Sequence, residues 1–188
     1  MSKVKVADLF SIINASFGFL AIYYNNPSLI FVSALADGFD GYFARKFGSG
    51  ELGKFLDALA DLVSFGVAPA YFIGIYALPY FLAALYRLSR FVTLKTENFV
   101  GFPVTSSAMI VVPLLYYSKN AAAVSSLILS FFMVSSIEYR KIKDERLLSL
   151  AAVSIILAAV KKEFSILILS LSTLYLLSPL AKNLYKPR

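Results

Sequence analysis

Apolar stretches of about 14–26 residues, separated by short clusters of turn-forming or charged residues, recur along the whole chain. They predict eight helices, at about 8–24, 28–47, 51–76, 78–95, 103–118, 121–137, 147–160 and 164–181. The breaks at Asn25–Ser28 (NNPS), Phe47–Gly50 (FGSG) and Leu78–Tyr80 (LPY) are short, so neighbouring helices are expected to pack antiparallel. The expected fold is all-α: a polytopic membrane bundle of about eight transmembrane helices, with residues 1–188 forming one domain. No low-complexity linker or soluble domain is left over. The opening Met1–Val6 (MSKVKV) is basic, but no small-residue cleavage site follows it. The hydrophobicity is therefore expected to belong to the mature fold.

Composition strengthens this picture. Of 188 residues, 59% are apolar and 15% charged, against about 45–50% and about 25% in a soluble domain. The chain has no Cys, His or Trp, which excludes thiol nucleophiles, disulfides, serine–histidine triads and histidine zinc sites. Any bound metal must sit among oxygen ligands, as Mg²⁺, Mn²⁺ or Ca²⁺ do. The net charge of +7 orients a membrane chain and attracts anionic headgroups, and is not read as a nucleic-acid footprint. An even span count places both termini on one side. With both termini cytoplasmic, fifteen of the 18 Lys and Arg residues fall at cytoplasmic ends and loops, and only Lys119, Lys161 and Lys162 fall outside. Glu138–Arg146 (EYRKIKDER) is expected to be a charged linker on that cytoplasmic surface.

Four of the six aspartates lie between positions 37 and 61. A carboxylate at the centre of a membrane helix costs at least about 2.5–3.5 kcal/mol, so such groups face the bundle interior or water and mark function. Asp37 and Asp40 are three apart and Asp57 and Asp61 four apart, so each pair shares a helix face. Counted from the turn at Gly48-Ser49-Gly50, which is expected to fold the two helices together, both pairs stand roughly 12–18 Å from the tip. Four converging carboxylates oppose one another's ionisation, and divalent cations compensate. Two hard cations bridged by carboxylates suit phosphoryl chemistry. Gly41, Ala44 and Arg45 continue the Asp37–Asp40 stripe, offering room for a ligand and a planar fork for phosphate.

The pattern Asp37-x-x-Asp40-Gly41-x-x-Ala44-Arg45, seven residues, then Gly53-x-x-x-Asp57-x-x-x-Asp61 resembles the signature of the CDP-alcohol phosphotransferase family, with every fixed position filled. The resemblance implies transfer of a phosphatidyl-type group from a CDP-lipid to a small alcohol, with release of CMP. The reaction would take place in a cytosol-facing cavity of an integral membrane protein holding two divalent cations, Mg²⁺ or Mn²⁺. On that resemblance Asp37, Asp40 and Asp57 are metal ligands, and Asp61 is a ligand or the base that takes the acceptor's proton. Gly41 and Ala44 admit the cytidine, with Asp40 and Gly53 bordering the nucleotide, and Arg45 holds the diphosphate. A homodimer among membrane lipids is also expected.

Three further stretches, Leu56–Ala70 (LDALADLVSFGVAPA), Arg87–Phe91 (RLSRF) and Phe99–Thr105 (FVGFPVT), resemble the phosphatidylserine synthase branch. That branch has Arg-Phe-Asn and Gly-Leu-Pro where this chain has Arg90-Phe91-Val92 and Gly101-Phe102-Pro103. L-Serine is the acceptor so implied, with glycerol phosphate or inositol phosphate as alternatives. A divalent-cation or proton-coupled transporter is the reading from another class. Arg87 and Arg90 are candidates for the acceptor carboxylate or a lipid phosphate, or for snorkelling to the interface. Asn14 and Gly18 form a small polar stripe read as interhelical hydrogen bonding, with a nucleotide contact as the alternative.

Overall fold

Helices form where the apolar runs place them. The computed structural model describes residues 6–47, 52–94, 98–142 and 144–184, and the turn at 48–51 lies outside the described residues. Helix α1 is Val6–Tyr23, α2 Leu29–Phe47, α3 Gly53–Ile73 and α4 Leu78–Thr93. Helix α5 is Val104–Tyr117, α6 Lys119–Val134, α7 Glu145–Val160 and α8 Ser165–Leu184. Local chemistry sets several ends. Gly74, at φ 91°, stops α3 short of the expected residue 76. The Ser118 side chain accepts from the Ala121 amide to cap α6, and Asp144 accepts from the Arg146 amide to cap α7.

Among the described residues the regular structure is helical apart from one small strand pair. Among the described residues two helical stretches, Gly53–Ile73 and Lys162–Leu180, are long and apolar enough to cross a membrane, and Asp8–Tyr23, Val104–Tyr117 and Lys119–Val134 are shorter apolar helices. Helix α2 carries Asp37, Asp40, Arg45 and Lys46 in its C-terminal half, which lowers its hydropathy. Polarity is arranged as in a membrane bundle. Large apolar side chains such as Leu9, Phe19, Leu82, Ile128 and Phe131 face outward. Ala21, Ala34, Ala68, Ala84, Ser33, Ser64 and Ser107 are buried between helices, where small residues let backbones approach and hydroxyls bond across the interface.

Helix α1 is the centre of the first half. It packs along both α2 and α3, whereas α2 and α3 barely touch each other. The expected closed hairpin is therefore a wedge with α1 as its spine. At the crossing, a Cβ on Gly18 would lie 2.7 Å from the Ser64 Cα, so the backbones meet at a distance only glycine allows. There α3 widens into a π turn over Leu62–Val67. The buried Tyr80 hydroxyl donates to the Phe65 carbonyl at 2.9 Å, supplying a donor inside that irregular turn. The second half joins α4 to α6, and α5 to α6 and α8, while α7 covers α2.

The expected surface linker Glu138–Arg146 begins with a paired segment. Phe99–Val100 (β1) pairs antiparallel with Glu138–Tyr139 (β2), in the register Phe99 with Tyr139 and Val100 with Glu138. Tyr139 is buried against Phe102 and Tyr175, with ring centroids 5.1 and 5.7 Å away. The aromatic residue anchors one end of an otherwise charged run.

The Gly18 contact gives the first prediction. Gly18→Val should destabilise the bundle by about 1–3 kcal/mol, because the crossing has no space to relax into. Thermal unfolding in detergent, followed by size-exclusion recovery, should show a lower midpoint than wild type. An unchanged midpoint would mean that the α1–α3 approach does not limit stability.

Candidate metal centre and active site

The wedge between α2 and α3 holds the acids. Carboxylate oxygens of Asp37, Asp57 and Asp61 lie within 4.8 Å of one another. Asp40 and Asp57 are within hydrogen-bonding reach of each other, which brings the fourth acid to the same cluster. The helical offsets explain the convergence: three and four residues return to one face, and the two faces look at each other across the wedge.

Helix α1 and the start of α5 orient these groups. Ser11 Oγ donates to Asp40 Oδ2 at 2.7 Å, and Asn14 Nδ2 donates to Asp61 Oδ1 at 3.0 Å. Asn14 also ties the spine to its neighbours, because its backbone carbonyl accepts from Ser33 Oγ at 3.1 Å and Ser64 Oγ at 2.8 Å. Thr105 Oγ1, at the first turn of α5, donates to Asp37 Oδ2 at 3.4 Å. Asp37, Asp40 and Asp61 are therefore each held by a donor from α1 or α5 before any ligand arrives.

Arg87 supplies the opposing charge. It is only 5% exposed and sits where the charges of Asp61 and Asp37 act on its guanidinium. Its Cζ lies 5.3 Å from the ring centroids of both Phe91 and Phe99. These cation–π contacts hold the cation against an apolar wall. Arg90, one turn along, has a different environment: its guanidinium donates to backbone carbonyls of Val100, Met133, Val134 and Ser135.

The other expected site residues divide between those placed and those not described. Gly53 is buried at the start of α3, and Gly41 is half-buried on α2 one residue beyond Asp40. Ala44 and Arg45 continue the α2 backbone, and their side chains lie outside the described residues. Sequence reasoning missed Ser11, and assigned no role to Thr105. The spacing of Ser11, Asn14 and Gly18 on one helical face was the available signal for the first. Nothing local singles out Thr105, whose partner is 68 positions away.

The donor set suits a hard divalent cation. Two oxygens bound to one ion cannot be further apart than twice the metal–oxygen distance, about 4.2 Å for Mg²⁺ and about 5 Å for Ca²⁺. A spread of 4.8 Å therefore admits the larger ion directly, and admits Mg²⁺ after a closure of roughly half an ångström. Three carboxylates converging in a largely buried wedge are the kind of group such a cation completes.

Comparison with known proteins follows the same residues. Residues 6–137, from α1 to the start of β2, match the profile described as CDP-alcohol phosphatidyltransferase. The chain belongs to the CDP-alcohol phosphatidyltransferase family. It is 34% identical over 169 residues to a protein of Methanocaldococcus jannaschii named CDP-diacylglycerol–serine O-phosphatidyltransferase, covering 84% of each chain. It is 34% identical over 167 residues to a Methanothermobacter thermautotrophicus protein named archaetidylserine synthase, covering 75% of this chain and 72% of that one. A Bacillus subtilis protein named CDP-diacylglycerol–serine O-phosphatidyltransferase is 36% identical over 149 residues, covering 67% of this chain and 84% of its own. Every acid of the cluster, its partners on α1 and α5, and Arg87 fall within the span that matches the family.

The centre makes a direct prediction. Crystals soaked in Mn²⁺ should show an anomalous peak about 2.0–2.6 Å from oxygens of Asp37, Asp57 and Asp61, and Asp57→Asn should remove it. A peak elsewhere, or one that survives Asp57→Asn at full height, would contradict the assignment.

Proposed function

We propose that the chain is an integral membrane transferase that moves a phosphatidyl-type group from a CDP-lipid to L-serine, releasing CMP. The observation that carries this reading is the convergence of Asp37, Asp57 and Asp61 within 4.8 Å, with Arg87 buried beside them. The names of the relatives support serine as the acceptor. In this reading all eight helices span the bilayer and the whole chain, 1–188, acts as one domain. Both termini and the wedge face the cytoplasm, as the distribution of Lys and Arg favours. A homodimer embedded in membrane lipids is the proposed assembly.

Asp37, Asp40, Asp57 and Asp61 would hold one or two divalent cations, Mg²⁺ or Mn²⁺. Such ions polarise phosphate oxygens and neutralise the charge that develops on the leaving CMP. The rest falls to the chain's own groups. Arg87 pairs with the serine carboxylate, for which a guanidinium fork is the matched partner. That contact turns the serine hydroxyl towards the acids. Asp61, oriented by Asn14, accepts the hydroxyl proton as the oxygen attacks the lipid-side phosphorus. The new P–O bond forms while the bond to CMP breaks, and CMP carries away the bonding electron pair. Arg45 and the Gly41–Ala44 face would receive the diphosphate and the nucleoside, with Gly53 bordering them. A transporter would have no need of a cation fixed by two aromatic rings against the acids.

Two outcomes follow. Asp61→Asn should lower turnover by about 10²–10⁴-fold while leaving CDP-lipid binding within a few-fold, because an amide does not accept the proton. Near-normal turnover would remove Asp61 as the base. In a mixture of L-serine, glycerol phosphate and inositol phosphate, CMP release should follow serine. Discrimination should be about tenfold or more, since an unpaired buried charge costs about 1–3 kcal/mol or more. Faster release with either phosphorylated alcohol would overturn the acceptor assignment while leaving the family intact.

A further inference from the structure

Arg87 and Arg90 lie one helical turn apart on α4, and their surroundings assign them different work. Arg90 Nη2 donates to the carbonyls of Val100 at 2.7 Å, Ser135 at 2.9 Å and Met133 at 3.4 Å, and Nη1 donates to Val134 at 3.3 Å. Three of these carbonyls close the C-terminal end of α6, where helical carbonyls lack intrahelical donors and a cation is favoured. The fourth belongs to β1. One side chain thus joins three pieces of chain: α4, the end of α6 and the segment that enters α5.

The same junction is fastened on its other side. The Gly101 amide donates to Ile137 at 2.8 Å and the Phe102 amide to Phe132 at 3.0 Å. Gly101 has φ +79°, and a Cβ there would lie 2.1 Å from the Met133 oxygen and 2.6 Å from Arg90 Nη2. The fastened segment delivers two groups to the site. Phe99 presents its ring to Arg87 at 5.3 Å, and Thr105 reaches Asp37 at 3.4 Å.

We infer that Arg90 is a positioning residue: it holds the Phe99–Thr105 segment against the end of α6, and so places Arg87 and Asp37 for the acceptor without contacting the acceptor itself. The kinetic consequence rests on the serine reading above; the structural consequence does not. Substrate recognition is then divided between neighbouring arginines, with Arg87 as the contact and Arg90 as its support. Gly101 belongs to the same device, because any side chain there would separate Arg90 from Met133.

The test combines acceptor kinetics with amide exchange on the purified full chain in CDP-lipid micelles. Initial CMP release is measured with L-serine and with L-serinamide, which lacks the carboxylate, for wild type, Arg87→Ala, Arg90→Ala, Arg90→Lys and Gly101→Ala. Arg90→Ala and Gly101→Ala should raise the KM for serine about tenfold or more, with Arg90→Lys intermediate, because an ammonium reaches fewer of the four carbonyls. Because Arg90 acts through Arg87, the serine-to-serinamide ratio of kcat/KM should collapse in Arg87→Ala, fall less far in both Arg90 variants, and fall no further in the double variant Arg87→Ala, Arg90→Ala than in Arg87→Ala alone. A further fall in the double variant beyond Arg87→Ala would overturn the inference by making Arg90 a carboxylate contact in its own right. In the same preparations, amides of Gly101 and Phe102 should exchange about tenfold faster in Arg90→Ala, with α1–α3 unchanged. Unchanged protection at Gly101 and Phe102, or loss spread over all eight helices, would overturn it also. If wild type uses another alcohol and not serine, the acceptor reading fails and the exchange result still decides the role of Arg90.

Discussion

Carboxylates brought together inside an apolar bundle repel one another and forgo their hydration. Four of them survive here because other elements hold them. Ser11 and Asn14 on α1 donate to Asp40 and Asp61, Thr105 on α5 donates to Asp37, and Arg87 on α4 brings positive charge to the same wedge. The acids sit on α2 and α3, yet these two helices hardly pack together. The space between them is maintained by α1, whose Gly18 and Asn14 touch α3 through Ser64 and α2 through Ser33. A closed α2–α3 pair would leave no room for a cation or a diphosphate; a pair held apart by a third helix leaves that room.

The bundle then reads as two cooperating halves. Helices α1–α3 carry the acids. Helices α4–α6, with the β1–β2 pair, carry the buried arginine and the threonine that complete the site. The family match ends at residue 137, and the four acids, Ser11, Asn14, Thr105 and Arg87 all lie before that point. Helices α7 and α8 pack against α2 and α5, which buttresses the wedge. The division gives a physical account of why the characteristic residues lie in the first three-quarters of the chain.

Much of this was legible in the sequence, for reasons specific to each element. The helices follow from long apolar runs, and the acid cluster from offsets of three and four on two adjacent segments. What stayed hidden depends on contacts far apart in sequence. Ser11 is one of many serines in apolar helices, most of which bond only to their own backbone. Thr105 meets an acid on another helix. The π turn after Asp61 has no local signature beyond Ser64 and Gly66 among larger apolar residues. Arg90 and Arg87 are the same residue type at helical spacing, and only the carbonyls gathered around Arg90 separate their roles. The strand pairing of Glu138–Tyr139 was obscured by the charges that follow it, because a densely charged run reads as solvated chain. The α2–α3 hairpin was misjudged for a related reason: proximity along the chain does not determine which helices pack, and α1 offers the small, polar face that α2 and α3 do not offer each other.

The central claim is that α1 holds the aspartates in ligand geometry. It is tested most directly by titrating Mn²⁺ into the double variant Ser11→Ala, Asn14→Leu, which keeps all four aspartates, and reading free metal by electron paramagnetic resonance. The account predicts metal affinity weaker by about tenfold or more than wild type, in line with the 10–100-fold losses seen when groups orienting metal ligands are removed. Wild-type affinity in that variant would contradict it, and would show that the acids find their arrangement without the helix between them.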